Sequence, residues 1–370
     1  MLTKIIAVTA MLAVGAHAET IKVGVFGPFS GDAAANGEHM RQGIDLAVKA
    51  RNAAGGIRGK QIELVYADDA GKPEEAVTVA KRLISRDDVV LLLGSFSSPA
   101  SLAASQVSAQ LKTAQIVIAG TAQKITTSGN AWVFRTPVAD TKLVADLVDF
   151  IHEKMPAAKR FGFLYVNDDF GRGGFEAFKK AGERYGFEVV DEERFTRGDI
   201  DFTAQLSKIK AAKPDVLIEW SRYAETALIA KQLKQMGLDI PQIGSDALAT
   251  AKFVELGGSA VEGMTYATHF SVATSKDIPA AGTFVAAFEK AYNQQPLADS
   301  AEGYDAAMIG LAAIDRAGSE DHTAIRDALR NTDYASVRGP FKFDEKGDPE
   351  LRTHVARIVD GREVNARAAP

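Results

Sequence analysis

The sequence predicts an α/β fold with two doubly wound lobes, and three observations lead to this prediction. Short segments rich in β-branched residues alternate with amphipathic helical segments, and the alternation occurs in two rounds. The length of 370 residues favours two domains, because a domain has roughly 150 residues on average. The composition, with 46% hydrophobic and 25% charged residues, is typical of globular proteins that bury a core without disulfides or metals.

The N-terminal segment 1–18 is typical of a cleaved secretory signal. Lys4 precedes an apolar stretch from Ile5 to Val14, and the small residues of Ala16-His17-Ala18 then lead to Glu19. The apolar stretch is shorter than the roughly 20 residues that a membrane-spanning helix requires. The sequence therefore predicts export and a soluble, periplasmic mature protein that begins at Glu19.

The first round of strands and helices follows this signal. Its predicted strands are Ile21 to Phe26, Gln61 to Ala67, Val89 to Gly94 and Ile116 to Ala119. The intervening helices are Gly37 to Ala54, Pro73 to Ser85 and Pro99 to Lys112. Two of these helices begin with proline, which the first helical turn accepts because its N–H groups have no partner there. The β-branched composition of the strands is typical of a buried parallel sheet.

A helix at Thr141 to Lys154 leads into the second round. Its predicted strands are Phe161 to Val166, Glu188 to Arg194, Val216 to Trp220 and Ile240 to Gly244. Helical patterns near 172–185, 202–212 and 223–236 separate them. The repeated alternation predicts a second parallel sheet with helices on both faces.

The last third of the chain predicts a hinge that the chain crosses several times. Helices are expected near Pro279 to Asn293 and Ala301 to Ala317, and short strands at Phe341 to Phe343 and Thr353 to Val359. If these strands complete the earlier sheets, the chain returns to each lobe. The expected boundaries are 19–140 plus 269–343 for lobe 1, 141–268 plus 344–366 for lobe 2, and 367–370 as a tail.

Charge and motif content argue against several function classes. The formal charge of −5 provides no basic surface for nucleic acid, and the absence of cysteine excludes thiol nucleophiles and iron–sulfur clusters. The sequence also lacks G-x-S-x-G, H-E-x-x-H and phosphate-binding glycine motifs. We therefore predict a protein that is not an enzyme and that uses no cofactor or metal. An exported hydrolase, the alternative from another class, would need a nucleophile and an acid–base pair.

The histidines after the signal do not have the spacing of a metal site. They are His39, His152, His269, His322 and His354. Because metal ligands cluster, each is interpreted as a surface imidazole.

Hydroxyl side chains follow two neighbouring strands of the first round. Ser98 opens the helix after the strand that ends at Leu93, and Ala119-Gly120-Thr121 follows the next strand. Ligands of open α/β sheets bind at such strand ends, and the free N–H groups of a helix N-terminus favour an anion. These residues predict a carboxylate site, with simple helix capping by Ser98 as the alternative.

Strand ends of the second round carry Trp220, Tyr223 and Asp246. Asp246 is either a helix cap or a carboxylate that faces the cleft and pairs with a ligand ammonium. Trp220, Arg222 and Tyr223 together offer a stacking surface with a cation, and the alternative for Trp220 is a core residue.

The ordered set of motifs resembles one family, the type I periplasmic solute-binding proteins of ABC importers, in particular the group that binds leucine, isoleucine and valine. Segments that carry the resemblance are Ile21-Lys22-Val23-Gly24, Phe29-Ser30-Gly31-Asp32, the stretch from Asn52 to Lys60, Asp68-Asp69, Gly94 to Ser98, Phe134-Arg135-Thr136, and Asp168 to Gly173. The resemblance covers essentially the whole mature chain. It implies two Rossmann-like lobes, three crossover segments, ligand binding in the cleft and closure around the ligand.

The resemblance also assigns roles to residues. Ser98 and Thr121 match hydroxyl ligands of the substrate α-carboxylate, Ala119 matches a backbone contact, and Asp246 matches the acid, usually glutamate, that receives the α-ammonium. Tyr223 matches a tyrosine of the cleft.

The sequence departs from the family pattern at three points that concern recognition of the ligand side chain. Phe170 replaces a frequent tyrosine, Asn36 replaces a bulky aromatic residue, and a disulfide common in the family cannot form.

The resulting prediction is a monomeric binding protein that delivers an amino acid or related carboxylate to a membrane permease. The alternatives are a binding protein for aromatic carboxylic acids and a ligand sensor of the amide- or urea-responsive type.

Overall fold

The computed structural model describes residues 19–368 and contains two main β-sheets. The predicted signal, 1–18, and the last two residues of the predicted tail lie outside the described residues. The first sheet is parallel throughout, in the strand order β2-β1-β3-β4-β5. Its strands are β1 (Thr20–Gly27), β2 (Gln61–Asp68), β3 (Leu91–Leu93), β4 (Gln115–Val117) and β5 (Val133–Arg135).

The second sheet has the order β14-β13-β10-β9-β8-β6-β7. Its strands are β6 (Arg160–Val166), β7 (Glu188–Phe195), β8 (Val216–Trp220), β9 (Gln242–Gly244), β10 (Thr265–Thr268), β13 (His354–Val359) and β14 (Arg362–Asn365). The strands β6 to β10 are parallel to one another, whereas β13 and β14 are antiparallel additions at one edge. A separate two-stranded ribbon pairs β11 (Tyr334–Ser336) with β12 (Gly339–Phe341).

Twelve α-helices cover these sheets within the described part of the chain. They are α1 (Ala34–Ala53), α2 (Pro73–Ser85), α3 (Ser98–Leu111), α4 (Lys124–Thr127), α5 (Asp140–Lys154), α6 (Asp169–Gly182), α7 (Thr203–Ala212), α8 (Tyr223–Gln235), α9 (Ala251–Gly257), α10 (Pro279–Tyr292), α11 (Ala298–Ala317) and α12 (His322–Arg330). None of the described helices combines the length and apolarity needed to cross a bilayer.

Lobe 1 denotes the five-stranded sheet with α1–α4, α11 and α12, and lobe 2 denotes the seven-stranded sheet with α5–α9. The chain leaves lobe 1 after β5, returns to it with α11 and enters lobe 2 again with β13. The predicted α/β architecture with two lobes is therefore present, and the chain passes between the lobes three times.

The sequence prediction differs from the structure at short strands. The strand expected at Phe341 to Phe343 ends at Phe341 and belongs to the two-stranded ribbon, so it completes neither main sheet. Pro241 delays the strand expected from Ile240, which begins at Gln242. The strands β5, β10, β11 and β14 and the helices α4, α9 and α12 were not predicted.

The helices α1 and α11 are in backbone contact, which fixes the start of α11 in lobe 1. A Cβ atom on Gly43 would lie 2.0 Å from the carbonyl oxygen of Ser300, and one on Gly303 would lie 2.3 Å from that of Met40. No side chain fits between two backbones at these distances. Glycine at both positions therefore holds the first turns of α11 against α1.

In each lobe the strand order reverses next to the strand that comes first in the chain. The reversal lies between β1 and β3 in lobe 1 and between β6 and β8 in lobe 2. Ligands of open α/β sheets bind outside the carboxyl ends of the strands at such reversal points. By this rule a ligand would bind near the loops that follow β3, β6 and β8.

Candidate functional site

A cavity between the lobes lies at the carboxyl ends of the parallel strands. Residues after β3 and β4 and the start of α11 line it from lobe 1, and residues after β6, β8, β9 and β10 line it from lobe 2. The lining residues are Phe96, Ser97, Ser98, Ala119, Phe170, Arg222, Asp246, Ala247, His269, Ala298, Asp299 and Glu302. The cavity thus brings together four residues of the sequence prediction, namely Ser98, Ala119, Phe170 and Asp246.

The serines at the start of α3 form one end of the cavity. Ser98 is the first helical residue, and its Oγ accepts hydrogen bonds from the backbone N–H groups of Thr121 and Ala122, both at 3.2 Å. Ser97 occupies the N-cap position, and its buried hydroxyl has no hydrogen-bond partner among the described residues. Ser98 therefore holds the loop after β4, while Ser97, which the sequence analysis missed, offers a free hydroxyl beside the helix N-terminus.

Thr121 lies behind this wall, next to the first residue of α5. Burial raises the pKa of the Asp140 carboxyl to about 7, and the Thr121 hydroxyl and the Arg135 guanidinium oppose this increase. Thr121 and Gly120 are outside the set of lining residues.

Asp246 provides a buried carboxylate from lobe 2. It begins a 3-10 helix, Asp246–Leu248, directly after β9, and the hydroxyl of Ser245 caps this turn by accepting from the Ala247 N–H at 3.3 Å. The Oδ1 atom of Asp246 is buried and lacks a hydrogen-bond partner within residues 19–368. Burial raises the pKa of Asp246 well above its ordinary value, and the negative charge of Asp140 adds to the increase. The carboxylate is therefore poised to receive a cation.

His269, after β10, lies between Asp246 and Glu302. Its Nδ1 is 3.7 Å from Asp246 Oδ2 and 3.2 Å from Glu302 Oε1. Burial, with the nearby charge of Arg338, lowers the pKa of His269 to about 3, so the imidazole is neutral near pH 7. The interpretation of His269 as a surface residue is wrong: its side chain is 3% exposed, because the unpredicted strand β10 carries it into the cavity.

Two acids at the start of α11 complete the lobe 1 wall, and the sequence analysis missed both. Asp299 Oδ2 accepts a hydrogen bond from Asn36 Nδ2 at 2.7 Å, and burial raises the pKa of Asp299 to about 7. Glu302 Oε1 lies 3.5 Å from Arg338 Nη1, and burial raises the pKa of Glu302 as well. Their spacing of three residues on a buried, Ala-rich helix was the available signal, since it places both acids on one helix face.

Arg222 and Phe170 line the cavity from lobe 2. The Arg222 guanidinium lies 5.6 Å from the centre of the Phe170 ring, and its Nη2 is 3.1 Å from Asp168 Oδ2. Asp168 also caps α6 by accepting from the Phe170 and Gly171 N–H groups. The cavity therefore contains an aromatic face with a guanidinium whose charge is already paired.

The remaining predicted residues lie outside the lining set. Trp220 is fully buried against Gly174 of α6. Tyr223, at the start of α8, is buried next to the backbone of Ala35 in lobe 1. Asn36 reaches the cavity through its hydrogen bond to Asp299.

The lobes are closed over the cavity in this structure. Arg197 of lobe 2 donates from Nε to Asp32 Oδ2 of lobe 1 at 2.7 Å, from Nη2 to Asp32 Oδ1, and from Nη1 to the Gly71 carbonyl at 2.6 Å. Burial alone would raise the pKa of Asp32, but the hydrogen bonds and charge of Arg197 outweigh burial and hold it below its ordinary value. This ion pair spans the mouth of the cleft.

Comparison with known proteins places this architecture in a family. A family model described as periplasmic binding protein matches residues 20–363. The chain belongs to the periplasmic binding protein family. The resemblance found in the sequence is thereby confirmed, as is the predicted fold class, which solved structures of the family share.

Three relatives show the range of this periplasmic binding protein's neighbours. It is 30% identical to a Leu/Ile/Val-binding protein homolog of Brucella melitensis, with 92% of each chain covered. A leucine-binding protein from Thermotoga maritima has a TM-score of 0.87 at 29% identity and covers 95% of this chain and 100% of its own. The solute-binding protein of an ABC transporter from R. palustris, solved with benzoate, has a TM-score of 0.86 at 25% identity and covers 94% and 96%.

Proposed function

We propose that this periplasmic binding protein is the substrate-binding component of an ABC importer and that it binds an amino acid in the cavity between its lobes. One observation carries the proposal: Asp246 places a buried carboxylate in the cavity, and its Oδ1 is unpartnered in the described chain. A buried carboxylate needs a cation, which the α-ammonium of an amino acid supplies. The ligands in the names of the Brucella and Thermotoga relatives support the same ligand class.

The lobe 1 wall of the cavity at the start of α3 suits the α-carboxylate. The Ser97 hydroxyl and the free N–H groups at the start of α3 are hydrogen-bond donors, and a helix N-terminus carries a partial positive charge. Ala119 lines the same end. A zwitterion between α3 and Asp246 would satisfy both walls at once.

Delivery to a membrane permease follows from this role. Export would depend on the segment 1–18, with cleavage after Ala18. N-terminal sequencing of the protein recovered from the periplasm should then begin at Glu19.

An aromatic carboxylic acid is the second candidate ligand. Phe96, Phe170 and the guanidinium of Arg222 line the cavity, and the R. palustris relative was solved with benzoate. An aromatic acid has no ammonium, however, so Asp246 would have to be protonated for a second carboxylate to bind beside it. The amino acid is therefore the better match to the charges of the cavity.

Calorimetric titration with amino acids and their deaminated analogues tests the proposal. We expect leucine or another amino acid to bind, and the analogue that lacks the α-ammonium to bind at least tenfold more weakly. Benzoate or a deaminated analogue binding more tightly than every amino acid would assign the cavity to carboxylic acids instead.

Removing the ion pair across the cleft should weaken ligand binding, because the pair stabilises the closed arrangement of the lobes in which the ligand is held. Arg197→Ala deletes two hydrogen bonds to the Asp32 carboxylate, each of which would be worth about 1.5–3 kcal/mol if buried. Both side chains are about a quarter exposed, so solvent screening reduces the total to roughly 1 kcal/mol, or about fivefold in affinity.

Small-angle scattering should show a larger radius of gyration for Arg197→Ala than for the wild type at the same subsaturating ligand concentration. Lys208→Ala is the matched control, because Lys208 pairs with Glu193 inside lobe 2. Equal affinity and equal scattering for Arg197→Ala and Lys208→Ala would show that the Arg197 pair does not hold the lobes together.

Amino-acid affinity should rise with pH between about pH 5 and 8. Without ligand, burial raises the pKa of Asp246 well above its ordinary value. A bound α-ammonium stabilises the charged form of Asp246 and lowers this pKa, so binding releases protons. Binding that releases protons becomes tighter as pH increases, until the unliganded groups are already ionised.

The neighbouring groups do not reverse this sign. His269, with a pKa of about 3, stays neutral over this range. Burial also raises the pKa of Asp140 and Glu302, so their titration has the same direction. Calorimetry in two buffers of different ionisation enthalpy should report net proton release for leucine and proton uptake for its deaminated analogue. Affinity for leucine that is constant from pH 5 to 8 would contradict the ammonium–carboxylate pairing.

A further inference from the structure

The cavity holds more acid than the α-ammonium of one amino acid can neutralise. Asp246 faces it from lobe 2, and Asp299 and Glu302 face it from lobe 1. Glu302 shares Arg338, whose Nε donates to Asp305 Oδ2 at 2.8 Å and whose Nη1 lies 3.5 Å from Glu302 Oε1. If an α-ammonium pairs with Asp246, the carboxylate of Asp299 is the one that still lacks a cation.

The residues that the structure describes around Asp299 orient its carboxylate but place no positive charge beside it. Among residues 19–368, one hydrogen bond to its carboxylate is formed, from Asn36 Nδ2 to Oδ2 at 2.7 Å. Asn36 is buried on α1, and the close packing of α1 on α11 holds the two side chains together. The amide can position the carboxylate, but it cannot neutralise it.

Other lining groups indicate that a ligand is required here. The buried His269 Nε2 and Asp246 Oδ1 both lack hydrogen-bond partners in the part of the chain that the structure describes. Buried polar atoms in folded proteins are nearly always paired, and unpaired ones in a cavity mark places where a ligand or water binds. The acids of the two lobes thus surround one common space.

We propose that Asp299, positioned by Asn36, is a second cation-binding group of this cavity and selects amino acids whose side chain ends in a protonated amine. The proposal rests on the proposed function, since it takes the α-ammonium to pair with Asp246. The small residues Ala119, Ala247 and Ala298 also line the cavity, and their apolar side chains suit a short aliphatic spacer. A neutral aliphatic side chain would leave the Asp299 carboxylate buried and without a cation, whereas a side-chain amine would pair with it.

A matched pair of ligands tests this selection in the wild-type protein. L-2,4-Diaminobutyrate and L-norvaline have side chains of the same shape, and only the former ends in an amine. We expect calorimetry to show at least tenfold tighter binding of diaminobutyrate. Asp299→Asn should abolish this preference, mainly by weakening the binding of diaminobutyrate at least tenfold. Asn36→Ser, which loses the positioning amide, should reduce the preference partly.

The outcomes separate this inference from the proposed function. Norvaline binding as tightly as diaminobutyrate would overturn the selection by Asp299 and leave the proposed function in place. Equal weakening of both ligands by Asp299→Asn would show that Asp299 only supports the fold. Binding of benzoate with no binding of either amino acid would overturn both proposals. The wild-type comparison decides the question even if Asp299→Asn proves unstable in a thermal melt.

Discussion

Asp246→Asn should lower the affinity for an amino acid by at least a hundredfold. The ammonium of the ligand is desolvated in the closed cavity, and a buried charge whose partner is removed costs about 3–5 kcal/mol. Because each 1.4 kcal/mol corresponds to about tenfold in affinity, this cost exceeds two orders of magnitude. Calorimetric titration of the wild type and the variant with the same amino acid measures the difference.

The same substitution should leave the unliganded protein at least as stable as the wild type. Asp246 Oδ1 has no hydrogen-bond partner within the described residues, and burial disfavours its charged form. An uncharged amide in its place removes that penalty, so a thermal melt should show an equal or higher midpoint. Loss of binding could then not be ascribed to unfolding.

Two comparisons make the Asp246 prediction specific. Asp246→Glu keeps the charge and should retain binding within about tenfold, whereas the deaminated analogue should bind Asp246→Asn as well as or better than the wild type. If Asp246→Asn bound amino acids with wild-type affinity, the α-ammonium would have to pair with the lobe 1 acids, Asp299 and Glu302.

The fold could be predicted because its long elements carry a strong hydrophobic pattern. The strand β8 is buried along its whole length and reads as a continuous apolar run apart from Glu219. The strands that were missed have three or four residues, too few to show a period. In β5, Arg135 is fully buried because it pairs with Asp348 at 2.5 Å, a partner 213 residues away that no local pattern reveals.

The candidate site could be predicted only where a strand had been recognised. Ser98, Phe170 and Asp246 follow predicted strands, and the carboxyl ends of parallel strands meet at one edge of a sheet. His269 follows β10, which was not predicted, so its position at the same edge was not apparent.

The acids of α11 were missed for a different reason. Asp299 and Glu302 lie at the start of a helix rather than at a strand end, and acidic residues are common in a first helical turn because they stabilise it. Their burial arises from the packing of α11 on α1 and from closure of lobe 2 over them. The residue pattern of α11 alone reveals neither contact.

Ser98→Ala combined with Thr121→Ala should weaken amino-acid binding by roughly ten- to a hundredfold while lobe 1 stays folded. Ser98 Oγ accepts hydrogen bonds from the N–H groups of Thr121 and Ala122, and leaving buried donors unpaired costs about 1–3 kcal/mol each. The loop after β4 would lose its anchor, and the cavity wall at Ala119 would loosen with it. The structure thus adds a second role to the predicted one, because the Ser98 hydroxyl lines the cavity and also anchors the loop at the carboxylate end.

Single variants separate the contribution of Ser98 from that of Thr121. Ser98→Thr keeps the hydroxyl acceptor and should bind nearly as well as the wild type, whereas Ser98→Ala should lose most of the affinity that the double variant loses. Thr121→Val removes only a hydroxyl that lies outside the lining residues and should have a smaller effect. Calorimetry with one amino acid gives the affinities, and a thermal melt confirms that each variant is folded. Wild-type affinity in the double variant would show that the carboxylate binds elsewhere in the cavity, where Arg222 is an available donor because its Nη1 has no hydrogen-bond partner within residues 19–368.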